Sequence, residues 1–404
     1  MTYGKRRLLL MIPGPIEFEP AVLQALGAPT TSHVSAGFIE TFGRVLEQMK
    51  HVWLSPSGQP FVVAGSGTLA MDMAGANLVE PGDRALVLIT GVFGERYAQL
   101  LQRYGAEVTA IRAPLGEAIE MAEVEEALSS ATYKLMTLTH VDTSTGVRSD
   151  ARAFGELGRR HNVLTVLDGV CSVAGEEIRQ DEWGIDVVLT ASQKAVGVPP
   201  GLALLVASPR ALEAFSNRSA PVPNYYADWE KWLPVMAAYE KRSPSYFGTP
   251  PVNLIEALAV SLDQILDEGM NARFERHRFL SHAFQVGVDA LGLDQVPMSK
   301  GSRAVTLSAV YLPESIDGSL LRSEMARQGV VIAGGLHPEI RGRTIRVGHM
   351  GAVDSTDILG TLGALEHGLI AAGGSIQPGI GVLAGQHMLQ NEEPPKLTDS
   401  TPMS

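Results

Sequence analysis

Leu164-Thr165-Val166-Leu167-Asp168-Gly169-Val170-Cys171-Ser172 sets an apolar, β-branched run against one carboxylate and then a series of small residues. A run of this kind suits a strand covered on both faces, as in a parallel sheet. An acid where such a strand ends pays a desolvation penalty unless it meets a cation or hydrogen-bond donors. The same rhythm extends in both directions: residues 61–64, 85–89, 108–112, 135–139, 187–190 and 202–206 are further short apolar runs. Between them, residues 94–104 and 152–161 repeat apolar side chains at helical spacing. Strands alternating with helices predict crossover units and an α/β domain built on a mostly parallel, doubly wound sheet.

Outside this region the pattern changes. Residues 217–251 are rich in aromatics and prolines, among them Tyr225, Tyr226, Trp229, Trp232, Tyr246 and Phe247. Exposing so many rings is costly, which favours a subunit interface or an active-site wall over a surface connection. A helical stretch over 252–291, broken near Gly269, leads to expected strands at 305–311 and 344–347 and helices at 320–328 and 357–369, a smaller α+β domain. From residue 372 the glycines and later prolines read as a loose tail, with order near 382–389. The expected boundaries are an amino-terminal arm at 1–20, a large domain at 21–265, a small domain at 266–371 and a tail at 372–404.

The chain has 404 residues, 45% of them apolar, enough for a large core. A net charge of −12 without a basic stripe excludes a nucleic-acid surface. Cys171 is the single cysteine, so no intramolecular disulfide forms, and it reads as a small buried residue rather than a nucleophile. Lys5, Arg6 and Arg7 followed by apolar residues imitate a secretory signal, but Pro13 ends the run too early. No run reaches membrane-spanning length, and Pro402-Met403-Ser404 is not a peroxisomal import tripeptide. A cytoplasmic protein is expected, with peroxisome and mitochondrion left open.

Three strand ends carry chemistry, and open α/β sheets place ligands at such ends. Gly65-Ser66-Gly67-Thr68 follows an apolar run and precedes a helical pattern at 69–78, so its backbone N–H groups and helix dipole can cradle a phosphate, although capping chemistry looks the same. Asp168 can hold a protonated pyridine nitrogen as an ion pair; taken singly, it also reads as a loop carboxylate. Lys194, in Ala191-Ser192-Gln193-Lys194, has little charge near it in sequence, and burial would favour the neutral amine that forms imines; taken singly, it also reads as a solvated lysine. Jointly the three fit a cofactor that needs an anion site, a pyridinium partner and an imine-forming amine. No metal site is expected.

The chain resembles the class V (fold type I) aminotransferases, and within them the alanine–glyoxylate branch. The resemblance rests on Ile12-Pro13-Gly14-Pro15, Gly65-Ser66-Gly67-Thr68, Gly91-Val92-Phe93-Gly94-Glu95-Arg96, Thr139-His140-Val141-Asp142-Thr143-Ser144-Thr145-Gly146, Ala191-Ser192-Gln193-Lys194 and Arg346-Val347-Gly348-His349-Met350-Gly351. It implies pyridoxal 5′-phosphate as cofactor, Lys194 as the lysine that carries it and then moves the substrate proton, and Asp168 on the pyridine nitrogen. It further implies Phe93 stacked on the ring where many relatives carry Trp, Val170 on the opposite face and Thr143 near the phenolic oxygen. Ser66, Gly67, Thr68 and Gln193 resemble phosphate ligands. Tyr246 and Thr249 resemble residues that reach the phosphate from a neighbouring subunit, implying a homodimer with shared sites. Arg346 resembles the clamp on the substrate carboxylate, and Gly14 the point where the amino-terminal loop leaves room for a small substrate. Arg341 and Arg343 read as solvated surface charges.

The expected activity is transfer of an amino group from alanine to glyoxylate, giving pyruvate and glycine. Serine as donor, to glyoxylate or pyruvate, is the nearest alternative. A cysteine desulfurase is disfavoured because Cys171, beside Asp168, is poorly placed as a mobile nucleophile. A non-catalytic protein that keeps the fold would not need Lys194, Asp168 and Arg346 together.

Overall fold

The computed structural model describes residues 8–391. The expectations for Lys5 to Arg7, for the prolines after residue 391 and for the terminal tripeptide lie outside the described residues. In chain order the strands are β1 (Leu9–Leu10), β2 (Gln59–Ala64), β3 (Arg84–Ile89), β4 (Glu107–Arg112), β5 (Leu135–Thr139), β6 (Leu164–Asp168), β7 (Val187–Ala191), β8 (Leu202–Ala207), β9 (Leu307–Tyr311), β10 (Val330–Val331), β11 (Ala333–Gly334) and β12 (Thr344–Gly348).

The mostly parallel sheet expected from the apolar runs is present, with spatial order β2-β8-β7-β6-β5-β3-β4. Only β8 runs against its neighbours, pairing antiparallel with β2 and β7. The interior strands β5, β6, β7 and β8 are buried at every residue, which explains why they read as continuous apolar runs instead of alternating patterns. The register sets Asp168 opposite Thr139 on one side and Leu189 on the other. Thus the last residue of β6 sits between the loops that follow β5 and β7.

A second, antiparallel sheet has the order β11-β12-β9, and β1 pairs in parallel with β10 beside it. This region has its own core, including Met11, Phe284, Val310, Leu321, Val347, Leu362 and Met388. Three features of this region bear on the expected boundaries. The amino-terminal arm is anchored in the fold, as β1 joins β10 and Met11 is buried in the second core. The helix Ile380–Asn391 packs on the helices Met270–Ala290 and Ser355–Ala371 and buries Met388, while Glu366 accepts the N–H groups of Gly379, Gly381 and Val382. We therefore assign residues up to 391 to the small domain instead of a tail. The helix Val252–Glu268 runs through the expected boundary at 265, and the chain turns at Gly269, whose φ of +80° a side-chain-bearing residue rarely adopts. Gly269 is the division we propose.

The aromatic segment splits in two. Trp229 and Trp232, on the helix Trp229–Glu240, are core residues, and Trp229 stacks on Phe61 of β2 at 5.2 Å. Tyr225, Tyr226 and Tyr246 remain exposed. Burying a ring the size of Trp229 is worth about 3–5 kcal/mol against Ala, which accounts for part of the aromatic content without invoking an interface.

Candidate active site

Helix Gly67–Leu78 begins directly after β2, and its N-cap Ser66 makes no side-chain cap hydrogen bond. Ser66 and Thr68 are exposed, whereas Gly67 is buried against Val170: a Cβ at residue 67 would lie 2.7 Å from Val170 Cγ2. The first-turn N–H groups are therefore uncapped by Ser66 and closely approachable, as an anion cradle requires. Gln193 Oε1 is buried without a hydrogen-bond partner, an acceptor placed where a donor or a bound group would satisfy it.

Asp168 is almost fully buried, and its Oδ1 accepts the Val170 N–H at 3.0 Å. Burial pushes its carboxyl up to about 6; the Val170 N–H and the charges of Arg96 and Lys194 oppose the rise, and Asp142 adds to it. A carboxylate so desolvated, with no cation hydrogen-bonded to it, is suited to a positively charged N–H donor. The loop after it is fixed to β7, because the Thr190 hydroxyl donates to the carbonyls of Gly169 and Val170.

Lys194 follows β7 in a tight turn. Gly197 N–H donates to the Lys194 carbonyl at 2.7 Å, and Ser192 is tied to Pro199 and Leu202. The side chain is half-buried, and its Nζ donates to the Pro13 carbonyl. Gly14, at φ +127°, leaves no side chain in the way. Arg346, in the middle of β12 rather than at its end, pairs with Ala309 and Ala333. Its Nε donates to the Gly334 carbonyl at 2.8 Å and its Nη1 to the Thr143 carbonyl at 3.3 Å. Arg341 and Arg343 are exposed, and Arg343 lies over the Tyr311 ring.

Cys171 reports how these groups converge. Burial pushes its thiol up, the charges of Lys194 and Arg346 and a hydrogen bond with Thr143 counter this, and Asp168 reinforces it. The sulfur thus lies within the fields of Lys194, Arg346 and Asp168 together. It is a buried residue between charged groups, in keeping with its reading from sequence.

Phe93 is half-buried at the start of the helix Val92–Arg103, with the Arg96 guanidinium 4.8 Å from its ring centroid. Asp142 holds that helix start: its Oδ2 accepts the Phe93 N–H at 2.9 Å, and its Oδ1 accepts from Ser144. Asp142 is fully buried; burial raises its pKa against the pull of these hydrogen bonds. Tyr246 and Thr249 are not brought to Lys194 within one chain. Both are exposed, 3.5 Å apart through their oxygens, with Tyr246 against His33.

Asp142 and Arg96 contact the candidate site residue Phe93, and motif reading quoted both without assigning a role. The signal for Asp142 was a lone acid among uncharged residues between β5 and the turn at Gly146. A separate cavity of about 700 Å³, lined by His140, Arg148 and Glu176, contains none of the residues singled out above. Among the described residues no group of three His, Cys, Asp or Glu side chains is placed to hold a metal, and no helix is long and apolar enough to cross a membrane.

The family model for aminotransferase class-V matches residues 23–351. Alanine–glyoxylate aminotransferase 1 of Saccharomyces cerevisiae is 39% identical over 357 residues, covering 85% of this chain and 91% of that protein. Serine–glyoxylate aminotransferase of Arabidopsis thaliana is 31% identical, covering 97% of this chain and 98% of that protein. The crystal structure of ureidoglycine–glyoxylate aminotransferase from Bacillus subtilis superposes with a TM-score of 0.90 at 26% identity, covering 97% of this chain and all of that one. The chain therefore belongs to the class-V aminotransferases, fold type I enzymes that depend on pyridoxal phosphate.

Proposed function

We propose that the protein transfers the amino group of alanine to glyoxylate, releasing pyruvate and glycine. Asp168 at the end of β6, Lys194 just after the neighbouring β7, and the Arg346 guanidinium on the Thr143 carbonyl in the loop after β5 carry the transamination reading. The higher identity to an alanine–glyoxylate enzyme than to a serine–glyoxylate enzyme supports alanine as the donor. Pyridoxal phosphate, when bound, supplies an electron-accepting ring that stores the amino group between the two half-reactions.

The residues present fit that group. The uncapped helix start at Ser66, Gly67 and Thr68 would hold the phosphate, and the Gln193 side chain would donate to it through its N–H group while its buried Oε1 would accept from a neighbouring donor. Asp168 would keep the pyridine nitrogen protonated, because a buried carboxylate gains most from a charged donor. Phe93 and Val170 would enclose the ring, and Thr143 would donate near its phenolic oxygen. Arg346 binds the substrate carboxylate, and its planar fork suits a two-point contact. Lys194 would take the proton from Cα of alanine in the first half-reaction and give one to Cα of the nascent glycine in the second. Gly14 admits a small side chain at Cα and limits a larger one through the Pro13 loop.

Tyr246 and Thr249 would complete the phosphate site of a neighbouring subunit, so the active unit is a homodimer. Their exposure, and that of Tyr225, supports this part of the proposal. A cytosolic location belongs to the same reading and rests on the single cysteine, which fits a reducing compartment.

The test is to compare initial rates with alanine, serine and cysteine as donors against glyoxylate and pyruvate as acceptors. Alanine with glyoxylate should be fastest, with ping-pong kinetics, and Lys194→Ala should lose both turnover and visible absorbance. Faster turnover of serine would move the assignment to the serine–glyoxylate branch.

A further inference from the structure

Where the chain passes from the large sheet to the small one, three charged side chains meet. Glu268 ends one helix, Gly269 turns the backbone, and Arg273 and Arg276 lie in the first two turns of the helix Met270–Ala290. Arg273 Nη1 donates to Glu268 Oε2 at 2.7 Å, and Arg276 Nε donates to Glu268 Oε1 at 2.5 Å. Arg276 Nη2 adds a bond to Glu268 Oε2 at 3.1 Å, and the remaining donors reach backbone carbonyls on three segments. Arg273 Nε holds Ala174 at 2.7 Å, in the turns after Asp168, and its Nη2 holds Ala195 at 2.8 Å, the residue after Lys194. Arg276 Nη1 holds Gly351 and Val353, each at 3.1 Å, on the chain that continues from Arg346. His277 strengthens the same joint, its Nε2 accepting the Gly351 N–H at 3.0 Å.

A partly buried ionic cluster, with Arg273 at its buried end, is an expensive way to join two domains, since apolar side chains of similar volume would do so at lower desolvation cost. What charged forks add is fixed geometry. Burial pulls Arg273 down to about 10, which leaves it charged at neutral pH. Burial raises Glu268, but the hydrogen bonds and charges of Arg276 and Arg273 outweigh it and keep the carboxyl below its usual range. The Arg273–Glu268 pair is therefore ionised at neutral pH. A cavity of about 430 Å³ borders it, lined in part by Glu17, Gln264 and Asp354, so the surroundings alone do not lock the joint by close packing.

The geometry points to a positioning role: the Arg273–Glu268–Arg276 bridge sets the distance between the Lys194 amine and the Arg346 guanidinium. The inference rests on the proposed roles of those two residues. A substrate held by its carboxylate on Arg346 must present Cα to Lys194, and a shift of about 1 Å costs on the order of a hundredfold in rate. Residues of the bridge touch neither reacting atom, so they act through the backbone of the two segments they hold.

The experiment is single-turnover conversion of the holoenzyme by alanine in Glu268→Gln, Arg276→Gln, Arg276→Lys and the double variant Glu268→Gln/Arg276→Gln. A positioning role gives a maximal rate about tenfold lower in each Gln variant, with half-saturating alanine changed by less than about twofold. The double variant should be no slower than the worse single one, because one bridge is broken either way, and Arg276→Lys should regain part of the rate. A lower melting temperature with an unchanged maximal rate, or a rise in half-saturation alone, overturns the inference. Lys194→Ala run alongside separates the two levels. If it keeps turnover, the reading of the site itself fails; if it is inactive while the bridge variants match the parent, only the positioning role fails.

Discussion

A Cβ placed on Gly14 would lie 2.6 Å from Lys194 Nζ, nearer than non-bonded atoms approach. The amino-terminal loop and the lysine therefore share one volume, and the Pro13 carbonyl that accepts the Lys194 Nζ hydrogen bond belongs to that loop. Gly14→Ala adds the clash to the strain of a φ of +127°. The expected result is a kcat at least about tenfold lower, with thermal stability reduced by only about 1–2 kcal/mol, since the site rather than the core is disturbed. Parent-like kcat would place the loop clear of Lys194 in the working enzyme.

Asp168→Asn should separate stability from function. The carboxyl rises from 3.8 to about 6 on folding because it is buried. Folded protein then binds a proton that unfolded protein has released between those values, so stability falls as pH rises from about 4 to about 6 and stays lowered above. The penalty is on the order of 3 kcal/mol at about 1.4 kcal/mol per unit. Cofactor-stripped Asp168→Asn should be more stable than the parent in urea melts at pH 8, with the gap closing toward pH 4. The holo form should nevertheless lose most of its turnover. An Asn variant less stable than the parent at pH 8 contradicts the argument.

Arg346→Lys keeps the charge and loses the fork. With only one point of contact for the substrate carboxylate, kcat/KM for alanine should fall about 10–100-fold, or about 1.4–2.8 kcal/mol. Arg341→Lys and Arg343→Lys should leave it within about twofold, because both side chains are exposed. Equal losses in all three variants would remove Arg346 from the substrate site.

The proposed homodimer with shared sites predicts complementation. Lys194→Ala and a Tyr246→Ala/Thr249→Ala double variant should each be weakly active or inactive alone. Mixed after unfolding and refolding together, they form heterodimers with one intact site, so roughly a quarter of parent activity should return if subunits pair at random. No recovery, with dimers present by sedimentation, would place Tyr246 and Thr249 outside the catalytic unit.

The strand that ends in Asp168 and the one that precedes Lys194 were legible because both their faces are covered, so each reads as a mainly apolar run that gives way to polar residues near its end. Gly269 was legible as a break for a related reason, an interruption in helical spacing that a positive φ explains. Of the helix at Ile380–Asn391 only the stretch near 382–389 was legible, because flanking glycines blur its ends, and Trp229 was assigned to an interface or active-site wall because composition does not reveal which rings face the core.

Residue order along the chain determined the local elements, the parallel sheet and which strand ends bear an acid, an amine and small residues, since periodicity and burial act over a few neighbouring positions. Tertiary structure alone decided that Asp142 would hold the start of the helix carrying Phe93, that Pro13 would meet Lys194, and that Arg273 would reach Ala195. Each of those contacts joins residues far apart in sequence, and a hydrogen bond made across folded segments leaves no periodic trace in either one.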